Sequence, residues 1–498
     1  MTEPCDLTAT EARRQMGQKR LSPVELLQSC LTRIGAVNGA VNAMVALDLE
    51  RAQEAARGAE AAMMRGDCLG TLAGLPIGIK DLEETAGLRS TFGSPIFADH
   101  VPQADEGMVA RLRGAGGIVL GKTNTPEFGA GANTRNPVYG ATGNAFDPAR
   151  SAAGSSGGSA VALATGMVPL ASGSDVGGSL RNPAAFNGIV GYRPSPGLVP
   201  SERKGVGWSP LPVLGPMART VPDLALMLGV MADDDARDPL AYTLHGRAVR
   251  RGERDLGVPR PVDLASLRVA ASPDLGFAPT ESHIARVFAA RVAAIAPLFG
   301  RMAQAHPDCS GTNQAFSVLR ATNFVAAHAT KVRDRPQDVG AIVRANVAEG
   351  LAYGMPDVAM AFTEQTRIYR GWQRFFADHD LLLTPAITIS PRPWSEWYPT
   401  EIDGRPTESY FHWLALAYAV TLVGHPAISL PLGVDEAGMP FGLQIVGPRG
   451  GDALVIAAAA ALEAALAGDA TLGRPVPDLA KLRAAAPISA MQGFLDGA

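Results

Sequence analysis

Two glycine-serine clusters constrain this chain more than any other feature. The first is Gly154-Ser155-Ser156-Gly157-Gly158-Ser159 and the second is Ser174-Asp175-Val176-Gly177-Gly178-Ser179-Leu180-Arg181. Between them runs a mainly apolar connection, Ala160 to Ala171. A glycine-serine run by itself reads as a flexible linker. Here apolar segments flank both clusters, so the clusters belong to a packed body. A third glycine-flanked segment, Gly78-Ile79-Lys80-Asp81, closes the apolar run Leu75-Pro76-Ile77.

The chain around these segments alternates between two periodicities. Ser22-Pro23-Val24-Glu25 is a capping box with proline at the first helical position. Leu26, Leu27, Cys30, Leu31 and Ile34 follow at helical spacing. A second helix is expected over Leu49–Arg65, a strand ending at Lys80, and a short helix from Met108 to Ala115. Gly117 to Leu120 reads as a strand entering Gly121-Lys122-Thr123-Asn124-Thr125-Pro126, Ser159 to Thr165 as a helix and Val168 to Ser172 as a strand. Such alternation with short glycine-bearing connections predicts an α/β fold, a single large domain with a mixed central sheet covered by helices on both faces. Residues 1–70 are expected as a helical segment packed on the core. Residues 71–498 are expected as the α/β domain, with a variable helical insertion around 233–378. The polar stretch 233–261 reads as a surface excursion, Leu267 to Ala271 as a strand, and the region from there to Asp378 as mostly helical. Phe411 to Val434 carries no Asp, Glu, Lys or Arg, but Gly424-His425-Pro426 divides it. The apolar half is too short to span a bilayer, so the segment reads as a buried helix, a sharp turn and a buried strand.

Composition narrows the function. Of 498 residues, 47% are hydrophobic and 18% charged, as in a globular protein with a large core. The net charge of -4 gives no field for nucleic acid or an anionic membrane. Cys5, Cys30, Cys68 and Cys309 are scattered without metal-ligand spacing. They suit a reduced, cytoplasmic setting with no structural metal and no cofactor. The N-terminus shows no apolar leader segment.

A serine becomes a nucleophile only when a base removes its proton. The eight histidines are dispersed and none lies beside the clusters. No Gly-x-Ser-x-Gly elbow of the α/β-hydrolase kind opens a strand-to-helix turn, and neither glycine-serine cluster carries the Gly-Lys-Ser/Thr end of a phosphate loop. Lysine is the other candidate base, because burial weakens its hold on a proton. Lys80 closes an apolar strand and is that candidate; an ion pair with Asp81 or Glu83 at a strand end is the equally weighted structural reading. Val176, Gly177 and Gly178 can turn several N–H groups toward one point, as an oxyanion hole does.

At these residues the chain resembles the amidase signature family. Ala153-Gly154-Ser155-Ser156-Gly157-Gly158-Ser159 is similar to the family's Gly-Gly-Ser-Ser-Gly-Gly-Ser block, with Ala153 in place of the first glycine. Gly173 to Arg181 is similar to its second block. Gly121 to Glu127, Gly215-Pro216-Met217-Ala218-Arg219, Pro426 to Pro431 and Gly442-Leu443-Gln444 add further matches. The resemblance implies a triad of Lys80 as base, Ser155 as relay on a cis peptide, and Ser179 as nucleophile. It also implies an oxyanion hole at Val176, Gly177 and Gly178, support from Ser156, Asp175 and Arg181, and an acyl pocket bordered by Gly129, Ala130 and Gly131. The implied activity is hydrolysis of a small-molecule amide through an acyl-enzyme. Most aromatic residues of the C-terminal half, from Trp372 to Trp413, are expected in the core; a few lining a pocket would favour apolar or aromatic amides, cyclic amides or carbamates. Two alternatives accompany this reading: the glutaminase component of a tRNA-dependent amidotransferase complex, and a non-catalytic binding protein on the same scaffold. A homodimer is left open.

Overall fold

The computed structural model of the chain describes residues 3–241, 243–244, 247–248 and 256–495. Part of the 233–261 excursion thus lies outside the described residues. Eleven strands form one sheet. They are β1 (Met44–Leu47), β2 (Pro76–Lys80), β3 (Ile118–Thr123), β4 (Leu170–Asp175), β5 (Val190–Arg193), β6 (Val213–Ala218), β7 (Arg268–Ala271), β8 (Arg301–Gln304), β9 (Leu381–Pro385), β10 (Ala427–Val434) and β11 (Pro440–Val446). Their spatial order is β1-β3-β2-β4-β6-β5-β10-β11-β9-β7-β8. The sheet is mixed: β3, β2 and β4 run parallel, β4 to β9 pair antiparallel, and β9, β7 and β8 are again parallel.

Helices flank the sheet: α1 (Ala9–Gly17), α2 (Pro23–Val41), α3 (Leu49–Arg65), α4 (Gly107–Gly114), α5 (Gly157–Ala164), α6 (Arg181–Asn187), α7 (Val221–Met231), α8 (Ser282–Ile295), α9 (Thr312–Asp334), α10 (Ala341–Ala352), α11 (Met355–Asp378), α12 (Ala415–Val423), α13 (Asp452–Ala465) and α14 (Leu479–Ala484). The capping box forms at α2 as its sequence dictates, with Ser22 accepting from the Glu25 amide and Glu25 accepting from the Ser22 amide. The 411–434 segment folds as α12, a left-handed Gly424 and β10.

Three features depart from the expected pattern. β1 lies inside the N-terminal helical segment and pairs antiparallel with β3 at one sheet edge. β8 interrupts the stretch expected to be helical, at the other edge beside β7. Its residues are half-buried or exposed, so no period-2 pattern marks it. β6 carries Pro216 and β5 is four residues long, and neither reads as a strand in isolation.

β2, β3 and β4 are parallel, so Lys80, Thr123 and Asp175 all stand at the carboxyl end of their strands. The chain leaves β4 directly into the second glycine-serine cluster, and α5 starts within the first. Ligands collect at this edge in open α/β sheets.

Candidate active site

Lys80 is fully buried at the end of β2. Its Nζ donates to three hydroxyls: Ser155 Oγ at 2.8 Å, Ser156 Oγ at 2.9 Å and Ser174 Oγ at 2.8 Å. It forms no ion pair with a carboxylate among the described residues. The ion pair that sequence reasoning weighed for it forms elsewhere: Asp81 faces Lys122 at 3.7 Å and accepts from the Thr91 amide and hydroxyl. Burial weakens Lys80's hold on its proton, to about 7 from the usual 10.5, against the opposing pull of Glu83 and Asp175. An ammonium with three hydroxyl partners and no counter-charge in contact gives up its proton readily. A neutral amine in the same place can accept the Ser155 proton.

Both serines occupy the loops that precede helices. The Gly154–Ser155 peptide is cis. Ala153 has a φ of 55°, a region where glycine is favoured, so the methyl group that departs from the family block sits on a left-handed backbone. Gly158 is required by close approach: a Cβ there would stand 2.2 Å from the Asn124 nitrogen. Ser159 ties the start of α5 to the sheet, bonding Thr123 Oγ1 at 2.6 Å and the Ser172 carbonyl at 2.8 Å. The Ser156 amide donates to the Ser179 carbonyl at 3.3 Å and so joins the two loops. Ser179 is 8% exposed, just ahead of α6. Its hydroxyl makes no hydrogen bond among the described residues. No described histidine bonds either Ser155 or Ser179.

The second loop is built on one buried carboxylate. Asp175 receives the Gly178 amide at 3.0 Å, the Leu180 amide at 3.2 Å, and Arg181 through Nη2 at 2.9 Å and Nε at 3.1 Å. Arg193 adds a contact at 3.2 Å. Burial acts to raise the Asp175 pKa, but the Arg181 and Arg193 guanidiniums hold the carboxyl well below the usual carboxylate range. Arg181 continues to Gln444 Oε1 at 2.6 Å, which anchors the loop to β11. Gly178 has a φ of 102°, so the loop turns as a non-glycine residue would not. Its N–H is committed to Asp175, whereas the N–H groups of Val176 and Gly177 have no acceptor among the described residues.

The loop after Thr125-Pro126 is fixed by Glu127, which accepts from Ser94 Oγ at 2.7 Å and from the Gly340 amide at 2.7 Å. A Cβ on Gly129 would stand 3.3 Å from Ser155 Oγ, and one on Gly131 3.2 Å from Ile342 of α10. Ala130 is buried against Val339 and Val343. Gly129 and Val176 line a cavity of about 220 Å³ together with Lys204 and with Arg320, Asn323, Phe324 and His328 of α9. A further cavity of about 170 Å³ shares Val206 and Asn323 with it and runs on past Trp208 and Phe362. Of the aromatic residues of the C-terminal half, Trp372, Trp394, Phe411 and Trp413 are core, as expected for most of them. The aromatic lining beside Gly129 comes from Phe128, Phe324 and His328. Sequence reasoning also missed Ser174, Arg193, Ser172 and Glu83 as members of the site. Ser174 had a signal, since it stands within the second cluster. Arg193 and Ser172 are single residues that only folding brings near, and Glu83, three residues past Lys80, is legible from spacing only as an ion-pair partner of that lysine.

A mixed α/β sheet whose parallel strands carry a buried lysine to two glycine-serine loops defines a hydrolase of the amidase type. A family model described as Amidase matches residues 25–456. An acylamidase of Rhodococcus erythropolis is 34% identical over 461 residues, covering 92% of this chain and 95% of the relative. A glutamyl-tRNA(Gln) amidotransferase component of Alkaliphilus metalliredigens is 31% identical over 484 residues, covering 92% and 96%. The crystal structure of a bacterial aryl acylamidase of the amidase signature family superposes with a TM-score of 0.84 at 27% identity, covering 92% of this chain and 96% of that one. The chain belongs to the amidase family, and it is an amide hydrolase. No described helix is long and apolar enough to cross a membrane.

Proposed function

We propose that the chain hydrolyses carboxylic amides bearing an apolar or aromatic group, as aryl or alkyl amides, cyclic amides or carbamates. Ser179 is the nucleophile, Ser155 the relay and Lys80 the base. Neutral Lys80 takes the Ser155 proton while Ser155 takes the Ser179 proton, and Ser179 Oγ adds to the amide carbonyl. The oxyanion is received by the Val176 and Gly177 N–H groups. The C–N bond then breaks as the proton returns through Ser155 to the leaving amine. Water enters, the same relay removes its proton, and the ester to Ser179 is hydrolysed. Asp175 and Arg181 hold the loop, with Arg193 as a third member, and Ser156 shares the Lys80 ammonium.

The observation that carries this reading is the 2.8 Å contact between Lys80 Nζ and Ser155 Oγ in a site where Lys80 forms no ion pair with a described carboxylate. The substrate class rests on the cavity beside Gly129 and Val176, lined by Phe128, Phe324 and His328. Burial lowers the His328 pKa to about 4, so that ring is neutral near pH 7 and acts as an aromatic wall. The four cysteines are free thiols and suit a reducing, cytoplasmic compartment.

A second reading, the glutaminase component of a tRNA-dependent amidotransferase complex, is favoured by the similarity to glutamyl-tRNA(Gln) amidotransferase sequences. Purification of the chain without partners separates the two. Turnover of anilides under those conditions, with covalent labelling of Ser179 by a fluorophosphonate, supports the amidase. Turnover of glutamine and of no other amide, seen only once partner proteins are added, overturns it.

A further inference from the structure

Behind Lys80 lies a second buried polar cluster that the mechanism above does not use. Glu83 sits three residues beyond the end of β2 and is buried. Its Oε2 accepts from Ser172 Oγ at 2.9 Å, and Ser172 Oγ in turn accepts from the backbone N–H of Lys80 at 3.0 Å. The carboxylate is therefore tied to β4 and to the residue whose amine faces Ser155. Its other oxygen, Oε1, is buried with no hydrogen-bond partner. Leaving a carboxylate oxygen unsatisfied in the interior is costly unless nearby positive charge offsets it.

That charge comes from two lysines. Lys122 of β3 donates to the Glu83 carbonyl oxygen, to Thr85 Oγ1 at 3.1 Å and to Ser90 Oγ at 3.2 Å, and faces Asp81 at 3.7 Å. Lys80 is the other. The remaining charged groups around Glu83 are Asp81 just past the end of β2 and Glu106 ahead of α4, the latter accepting from the Glu84 amide at 3.1 Å. Facing Lys80, besides Glu83, is Asp175 of β4. Asp175 is consumed by Arg181 and Arg193. Glu83 has no arginine partner among the described residues and shares only the two lysines.

We propose that the Glu83 carboxylate is the counter-charge that sets how readily Lys80 holds the proton it takes from Ser155. It touches no reacting atom and is a positioning residue for the charge on Lys80. The proposal rests on the reading of Lys80 as the base. With Glu83 ionised, a protonated Lys80 is stabilised in the buried site. This favours the step in which Ser179 attacks and Lys80 becomes an ammonium. It also keeps Lys80 from losing its proton affinity entirely to burial. Burial pushes the Glu83 pKa upward in the same way that it pushes Lys80 downward, so the two groups titrate as a pair.

The test uses the whole chain, with Glu83→Gln and Glu83→Asp. Two rates are followed from pH 5 to 9: kcat/KM for p-nitroacetanilide, and inactivation of Ser179 by a fluorophosphonate, which reads the nucleophile without turnover. In Glu83→Gln the acid limb of both profiles moves about one unit to lower pH, and the plateau falls about tenfold, because one pKa unit corresponds to a tenfold change. Glu83→Asp keeps the charge and shifts the limb by less. A purely structural role for Glu83 would lower the melting temperature and leave the limb where it is; an unmoved limb in folded Glu83→Gln overturns the proposal. If Glu83→Gln fails to fold, Ser172→Ala decides, because it removes the hydroxyl that favours the ionised Glu83 carboxylate; a limb moved to lower pH supports the proposal and an unmoved limb overturns it. A wild-type profile with no acid limb overturns the lysine-base reading itself, and the two failures are thereby distinguishable.

Discussion

Lys80 Nζ and Ser155 Oγ stand 2.8 Å apart although 75 residues separate them. The contact exists because β2 delivers the lysine to the edge where the first glycine-serine loop turns the chain into α5. Ser179 reaches the same edge from β4, the neighbouring parallel strand.

Ser179→Ala removes the proposed nucleophile without disturbing a hydrogen bond, since its hydroxyl makes none among the described residues. Amide turnover is expected to fall by about 10³-fold or more. The melting temperature should stay within a few degrees of wild type. Turnover near the wild-type level would place the nucleophile elsewhere.

The pH profile of kcat/KM is expected to rise about tenfold per unit through the acid range and level off near pH 7, where buried Lys80 becomes neutral. The sign follows from the base being active only when deprotonated, with a proton affinity lowered by burial. A flat profile between about pH 5 and 9 would exclude lysine as the base. Lys80→Met should abolish turnover at every pH.

Asp175→Ala leaves Arg181 and Arg193 buried without their carboxylate and frees the Gly178 and Leu180 amides. Breaking a buried ion cluster in this way costs about 3–5 kcal/mol. Calorimetry should show that loss, and fluorophosphonate labelling of Ser179 should slow as the loop loses its frame. In the wild type the pKa of this group is depressed in the folded state. Its contribution to stability is therefore complete above the ordinary carboxylate range and fades as the pH falls below about 4.

Phe324→Ala opens the cavity beside Gly129, and Asn323→Trp blocks its junction with the second cavity. For aryl amides, Asn323→Trp should lower kcat/KM about tenfold or more, because pocket volume discriminates at that scale. Short alkyl amides should change by about twofold or less in the same assay. Equal losses on both substrate classes would show that the second cavity takes no part in binding.

Much of the site is legible in the residues alone. The glycine-serine clusters mark two tight loops because serine and glycine in that density, flanked by apolar runs, leave few other backbones open. Lys80 is legible because it ends an apolar strand. The boundaries of α3 match the sequence expectation because its alanine-rich repeat is bounded by Asp48, whose side chain caps the first turn, and by Gly66 in the left-handed region.

What the chain determined by itself is therefore local: the capped helices, the strand that ends in Lys80, and the two loops that carry Ser155 and Ser179. The long-range relations arise only on folding. Folding chose the partners of β1 and β8, the union of Arg181 and Arg193 on Asp175, and the choice of α9 over the C-terminal aromatics as the cavity wall. It also placed Glu83 on Ser172 behind Lys80. Short edge strands and single buried charges carry no period and no spacing. Their meaning comes from neighbours tens or hundreds of residues away, which packing alone brings into contact.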